Sequence, residues 1–264
     1  MRDKAKIYDD LLQVQARVTF PLEHPLYQFK IWEQSRKVLD LGCGNASYAK
    51  MLLDDYPDKV FTCVEKDEAM ASIARERYKG IGLEVITGSY DDLSDDFEFD
   101  FLLLRHVTSY LPDRKAFFKW VKEHAASTAG ILIIDADDEH FLIKPALPIF
   151  LGGLGKFREK VNNDGGQRDV RKDIQGELDE IGFRHIETQR IIANSKIPNT
   201  KELTHLYMCL VAELDIGSPL PQELATELYS WALDPRSYIQ YGLFGSLFVM
   251  NYDNVEDKRI FQEV

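Results

Sequence analysis

Short apolar runs recur along the first half of this chain, each followed by a helical pattern. Lys37–Leu41, Val60–Glu65, Leu83–Thr87, Phe99–Leu104 and Gly130–Asp135 read as strands. Ala46–Asp54, Asp67–Lys79 and Asp113–Ala126 carry helical spacing between them, with Asp67 as an N-cap and Gly80 as a stop. Several of the strand runs have no polar alternation, the pattern of strands buried on both faces. Strand and helix in turn imply right-handed crossovers and a mostly parallel, doubly wound α/β sheet.

After the fifth run the rhythm breaks. The stretch from His140 to Gln167 is apolar and rich in glycine and proline, and Phe141–Phe157 within it offers a lid over a site. A helix at Asp169–Ile181, a strand at Phe183–Ile192 and helices at Lys201–Leu214 and Gln222–Leu233 precede a last strand, Tyr238–Met250. Met1–Gln34 carries a helix at Asp3–Gln15 and a second before the first strand; Asp253–Val264 is expected outside the sheet. With 264 residues, 45% of them hydrophobic, one domain suffices. It divides into an N-terminal helical cap (1–34), a core (35–192) and a helical insertion with the last strand (193–264).

The formal net charge of −12 gives no general attraction to phosphate backbones or anionic lipid, so neither nucleic acid nor membrane is expected as a partner. Cys43, Cys63 and Cys209 form no CxxC pair and read as free thiols in a reducing compartment, with no metal site. The charged N-terminus lacks an apolar signal core, which points to a cytoplasmic protein.

The most informative stretch is VLDLGCGNASYA, residues 38 to 49, a buried strand running through a glycine turn into a helix. A dinucleotide fingerprint needs a third glycine, but Ser47 stands there, and the GK[ST] ending of a phosphate loop is absent. Asp40 is a carboxylate at the end of an apolar strand. It calls for a cationic ligand or several donors, and a pyrophosphate would not suit it.

DLGCGNA resembles the first motif of the class I S-adenosylmethionine-dependent methyltransferases, (D/E)xGxGxG. Glu65, GSYDDL (88–93), FDFLLLRHVTSYLPD (99–113), GILIIDADD (130–138) and EIGFRHIE (180–187) continue the resemblance in order. It implies a seven-stranded sheet, order 3-2-1-4-5-7-6 with the last strand antiparallel, and helical insertions after strand five and between strands six and seven. S-adenosylmethionine would be the cofactor, held by Asp40, Gly42, Cys43, Gly44, Glu65, Lys66, Met70, Ser89, Tyr90 and Arg105, with Tyr8 or Tyr27 of the N-terminal segment folded over it. Glu65 would bond the ribose, and Arg105 would offer its backbone carbonyl to the methionine amine. Ala46 replaces the usual third glycine, and Ser89 stands where an aspartate often meets adenine. RHVT (105–108) replaces the [DN]PP[FY] signature of many amino-group methylases.

Methyl transfer from a sulfonium needs alignment and exclusion of water; a base is needed only when the acceptor carries a proton. His106 and His140, after strands four and five, are the catalytic candidates. The expected activity is methyl transfer to a small molecule. Alternatives are aminocarboxypropyl transfer or cyclisation releasing methylthioadenosine, and a non-catalytic binding subunit. The paired helices before the last strand would cover the pocket or form a homodimer face.

Overall fold

The computed structural model describes residues 3–168, 170–197, 199–216 and 220–250. Eight strands form one mixed sheet: β1 (Lys37–Leu41), β2 (Val60–Glu65), β3 (Leu83–Thr87), β4 (Phe99–Arg105), β5 (Ala125–Ala136), β6 (Leu142–Lys144), β7 (Phe183–Asn194) and β8 (Tyr238–Met250). β3, β2, β1, β4 and β5 are parallel neighbours in that order. β8 runs antiparallel between β5 and β7. This is the expected topology with one addition. β6 pairs with the start of β8 after β5 has left it, prolonging the same edge by three residues. Among the described residues the sheet therefore has eight strands rather than seven.

Side-chain alternation explains the apolar runs. In β4, Phe101 and Leu103 join the core on one face, while Leu102 and Leu104 join the core on the other. The same period of two puts Asp40, Cys63 and Arg105 on one face, since Asp40 lies level with Cys63 and Leu103 in the neighbouring strands.

The helices are α1 (Lys4–Glu23), α2 (Lys30–Gln34), α3 (Ser47–Asp55), α4 (Glu68–Arg77), α5 (Arg114–His124), α6 (Pro148–Asn163), α7 (Ile174–Glu180), α8 (Thr200–Ile216) and α9 (Gln222–Leu233). α1 runs well past its expected end at Gln15 and contains Pro21. Ala16, Thr19, Phe20 and Glu23 are buried at helical spacing, and that packing outweighs the missing proline N–H. α5 stops two residues short of Ala126 and β5 begins at Ala125, where pairing with Phe99 holds an early strand segment. α7 is shorter than the expected Asp169–Ile181.

Phe141–Phe157 forms β6 and most of α6. α6 packs with α8, α9 and β6 around Phe150, Met208, Leu228 and Trp231, so the stretch is part of a helical cap with its own core. α1 joins the cap through Ile7, Leu11 and Val14 against Leu210 of α8. No helix among the described residues is long and apolar enough to cross a membrane. The expectation for Asp253–Val264 lies outside the described residues.

Candidate active site

The turn after β1 is built from left-handed backbone. Gly42 has φ +71° and Gly44 +58°, and Val64 accepts hydrogen bonds from the N–H groups of Gly42 (2.7 Å) and Cys43 (3.2 Å). Both glycines are also held close. A Cβ on Gly42 would lie 2.4 Å from Val107 Cγ2, and one on Gly44 would lie 2.6 Å from Leu12 Cδ1 of α1. Ala46, the third small position, has φ +55° and is fully buried as the residue before α3. Its strain explains why glycine is usual there. Glycine would relieve about 1–2 kcal/mol of it, but would lose a buried methyl (about 0.8 kcal/mol) and add about 0.5–1 kcal/mol of backbone entropy. Ala46→Gly is therefore expected to change stability by less than about 1 kcal/mol, measured by urea denaturation.

Asp40 is buried beneath this turn. Burial pushes its carboxyl up to about 7; the Arg105 charge opposes the rise and Glu65 adds to it. Glu65, at the end of β2, accepts the Gly44 N–H on Oε2 and the Asp67 N–H on Oε1, both at 2.8 Å. Its carboxylate thus fastens the glycine turn to the next one. The Cys43 Sγ sits 3.6 Å from the Gly44 carbonyl; the Cys63 thiol beside it and burial both push the Cys43 thiol up, which keeps it protonated.

α1 lies directly over the turn. Asp9, almost fully buried in α1, takes both Nη atoms of Arg77 (2.8 and 2.7 Å) and the Asn45 side-chain N–H (2.6 Å). Tyr8 is half-buried one turn from Leu12, its hydroxyl pushed up first by burial and then by Glu65. Tyr27, in contrast, is a core residue: its hydroxyl bonds Tyr48 at 3.0 Å and its ring meets Trp32.

On the next element, Arg105 ends β4 with its side chain turned to α1. Nε and Nη2 donate to Glu23 at 2.8 and 3.3 Å, and Nη2 donates to Thr19 at 2.7 Å. The guanidinium also lies 4.2 Å from the Tyr48 ring centre. Its side chain is thereby committed to α1 and α3.

His106 follows with φ +57°, an uncommon conformation fixed by its N–H bond to the Ile134 carbonyl (2.7 Å). Its Nδ1 is 4.0 Å from Asp135 Oδ1, while its buried Nε2 meets no hydrogen-bond partner among the described residues. Burial, then the charges of Arg105 and Arg168, hold its titration well below the usual histidine range, so the imidazole is neutral at pH 7. Asp135, fully buried, accepts from Ser109 N and Oγ and from Ala136 N. A neutral histidine with an uncommitted nitrogen can accept a proton.

His140 stands apart. Its Nδ1 lies 3.0 Å from Asp137, whose buried carboxylate is shared with Arg171 and Arg190. Asp137, Glu139 and His140 offer ligand atoms within 4.8 Å of one another. Two guanidiniums beside Asp137 already compensate its charge, which disfavours a metal ion there. The histidine thus lies beside this carboxylate in the loop after β5.

The remaining candidates sit around the second and third turns. Lys66 is exposed, but Met70 is fully buried within α4 and presents nothing to a cleft. Ser89 donates its backbone N–H to Asp92 (2.7 Å), and the Tyr90 ring packs on Phe117 and Trp120.

Residues 38–127 match the family model described as Methyltransferase domain. The matched stretch runs from β1 to the start of β5, the part of the chain that carries the glycine turn. Malonyl-[acyl-carrier protein] O-methyltransferase of Priestia megaterium (strain DSM 319 / IMG 1521) is a relative 24% identical over 99 residues, which cover 38% of this chain. The match spans only 36% of that methyltransferase's own length. A protein described as a methyltransferase, solved in complex with the Haloferax volcanii Trm112 methyltransferase activator, superposes with a TM-score of 0.58 at 15% identity, covering 94% of this chain and 98% of that one. N-methyltransferase NodS from Bradyrhizobium japonicum WM9, in complex with S-adenosyl-L-homocysteine, gives a TM-score of 0.51 at 11% identity over 88% and 86% of the two chains. At these identities the likeness is one of fold.

Within this methyltransferase fold, Asp9, Leu12, Glu23 and Asn45 are the residues the motifs did not single out. A signal existed in α1. Asp9 and Glu23 occupy the helix face that also buries Ala16 and Phe20, and a carboxylate on a buried face needs a partner.

Proposed function

We propose that this chain is an S-adenosylmethionine-dependent methyltransferase of a small molecule, with His106 as the group that receives the acceptor's proton. The observation that carries the reading is the buried, unpartnered Nε2 of a neutral His106 at the rim where β1, β2 and β4 end. The cofactor fits the donor set. Asp40 is a buried carboxylate, pushed up to about 7, that no donor satisfies among the described residues, and a cationic group would suit it. Glu65 lies within reach of the turn as an acceptor for hydroxyls. When bound, S-adenosylmethionine supplies an electrophilic methyl group on a sulfonium.

The chain's own part is then positional. Asp40 and the Gly42–Gly44 turn bind and orient, and α1 with Leu12 and Tyr8 excludes water. The Asp135 carboxylate favours the proton on the Nδ1 of His106, which leaves the Nε2 lone pair as the base. A small acceptor is supported by the net charge of −12 and by the helical cap over the cleft.

Incubation with S-adenosylmethionine and a metabolite extract, followed by mass spectrometry of both halves of the cofactor, tests the reading. S-adenosylhomocysteine and a product heavier by one methylene are expected. Methylthioadenosine would replace methyl transfer by chain transfer, and absence of cofactor binding by calorimetry would overturn both. His106→Asn is expected to lower kcat about 100-fold with cofactor affinity unchanged. Wild-type kcat in that variant would remove His106 from the reaction.

A further inference from the structure

The loop after β5 is gripped by cations from three parts of the chain. Asp138 takes Arg168 Nε at 3.0 Å and Arg158 Nη2 of α6 at 3.1 Å. Asp137 takes Arg190 of β7 at 3.2 Å and Arg171 at 3.5 Å. Glu139 takes Arg171 at 3.0 Å and Lys172 at 3.8 Å. Two of these cations, Arg158 and Arg168, share the single carboxylate of Asp138.

Stability alone gives little reason for such crowding. Partly exposed ion pairs contribute little, and neighbouring guanidiniums repel. The geometry around Asp138 is also incomplete. Arg158 meets it through Nη2, and its buried Nε has no partner among the described residues. A guanidinium binds carboxylate or phosphate best through two parallel N–H bonds, and Arg158 has not used that edge.

The position gives the feature a direction. Arg168 lies near enough for its charge to act on His106, Tyr110 and Asp135. On the other side Arg158 lies 5.8 Å from the Phe141 ring centre, and Phe141, Tyr241 and Tyr207 continue as an aromatic wall with centroids 5.8 Å apart. The Tyr241 hydroxyl on that wall is buried with no partner among the described residues.

We propose that Arg158 and Arg168 form an anion subsite that takes a carboxylate or phosphate of the acceptor and aims its reacting end at His106. This rests on the reading of the cleft as a methyltransferase site. Asp138 holds both arginines in place until the acceptor's anionic group takes the unused Arg158 edge. Neutral and cationic acceptors are disfavoured by the same charges.

The test uses the full chain saturated with S-adenosylhomocysteine and two probes, malonate and inorganic phosphate, titrated by calorimetry at low salt. At least one probe is expected to bind, and preference for malonate or for phosphate identifies the group. Arg168→Gln and Arg158→Gln are each expected to weaken that binding at least tenfold. Arg168→Lys, which keeps the charge and loses the fork, should fall between. Arg36→Gln, whose guanidinium meets Asp58 beside the amino end of β1, should leave it unchanged. Binding of S-adenosylhomocysteine and the thermal midpoint of each variant report separately on the cofactor site and on folding. Absence of binding by both probes, or wild-type affinity in both glutamine variants, overturns the subsite while retained cofactor binding leaves the methyltransferase reading standing. Loss of cofactor binding in the wild type overturns that reading instead.

Discussion

Glu23→Ala is expected to lower the unfolding free energy by about 3–5 kcal/mol, the range for removing one partner of a buried ion pair. The Glu23 side chain is 0% exposed and that of Arg105 9%. Arginine cannot shed its proton to escape, because its titration lies far above neutral pH and Glu23 raises it further. Without Glu23 the guanidinium keeps only the Thr19 hydroxyl and the face of Tyr48. The loss has a location, because these contacts join α1 to the end of β4. Amide exchange should speed up along α1 before it does in the sheet. Glu23→Ala combined with Arg105→Met should recover part of the loss, since no buried charge then remains. Urea midpoints of the single and double variants measure this, and a single-variant loss below about 1 kcal/mol would show that the pair does not carry α1.

Asp40→Asn is expected to act in the opposite direction on stability and to weaken cofactor binding. The folded carboxyl titrates at about 7, against 3.8 ordinarily. Below both values the group is neutral folded or unfolded, and it costs nothing. As pH rises from about 4 to 7 the unfolded chain releases this proton while the folded chain keeps it, so stability falls. Above 7 the folded chain carries the buried charge, and the penalty levels off at about 4 kcal/mol. Asparagine removes the penalty. The variant should therefore be more stable than the wild type at pH 8 and equal to it near pH 3.5, as read from urea midpoints across pH. Cofactor affinity should fall at least tenfold at pH 8, and wild-type affinity should rise with pH up to about 7, with proton release seen in calorimetry. An Asp40→Asn variant with no gain at pH 8 would mean that the charge is already compensated in the free protein. The pattern is that of a site residue kept at the expense of the scaffold.

Much of the architecture is local information. The uninterrupted apolar runs and the helices between them specify a parallel sheet covered on both faces, and VLDLGCGNASYA specifies the strand, turn and helix that begin the site. Those features depend on residues within a few positions of one another, where backbone preference and side-chain period decide the outcome. Asp40 also stood out in sequence, because a carboxylate ending a buried strand is costly wherever the rest of the chain goes. β6 was not legible, since three residues carry no period; pairing with β8 creates the strand.

The site itself required the tertiary structure. Asn45 and Asp9 meet across 36 positions, and Arg105 and Glu23 across 82, contacts that no local pattern specifies. Arg105 in the sequence is merely a polar residue after a strand; folding turns it toward α1. Met70 in α4 and Tyr90 beside the third turn belong by sequence position to the cofactor rim, yet packing buries one and lays the other on Phe117. His106 shows the division most clearly. Its place after β4 follows from sequence, but its neutral state and free Nε2 depend on burial and on the distant charges of Arg105 and Arg168. Sequence determined where the turns and the carboxylates of the site would fall, because those are near-neighbour properties of the chain. The tertiary structure decided which of the charges face each other and which face the cleft, because the cost of a buried charge is set by everything packed around it.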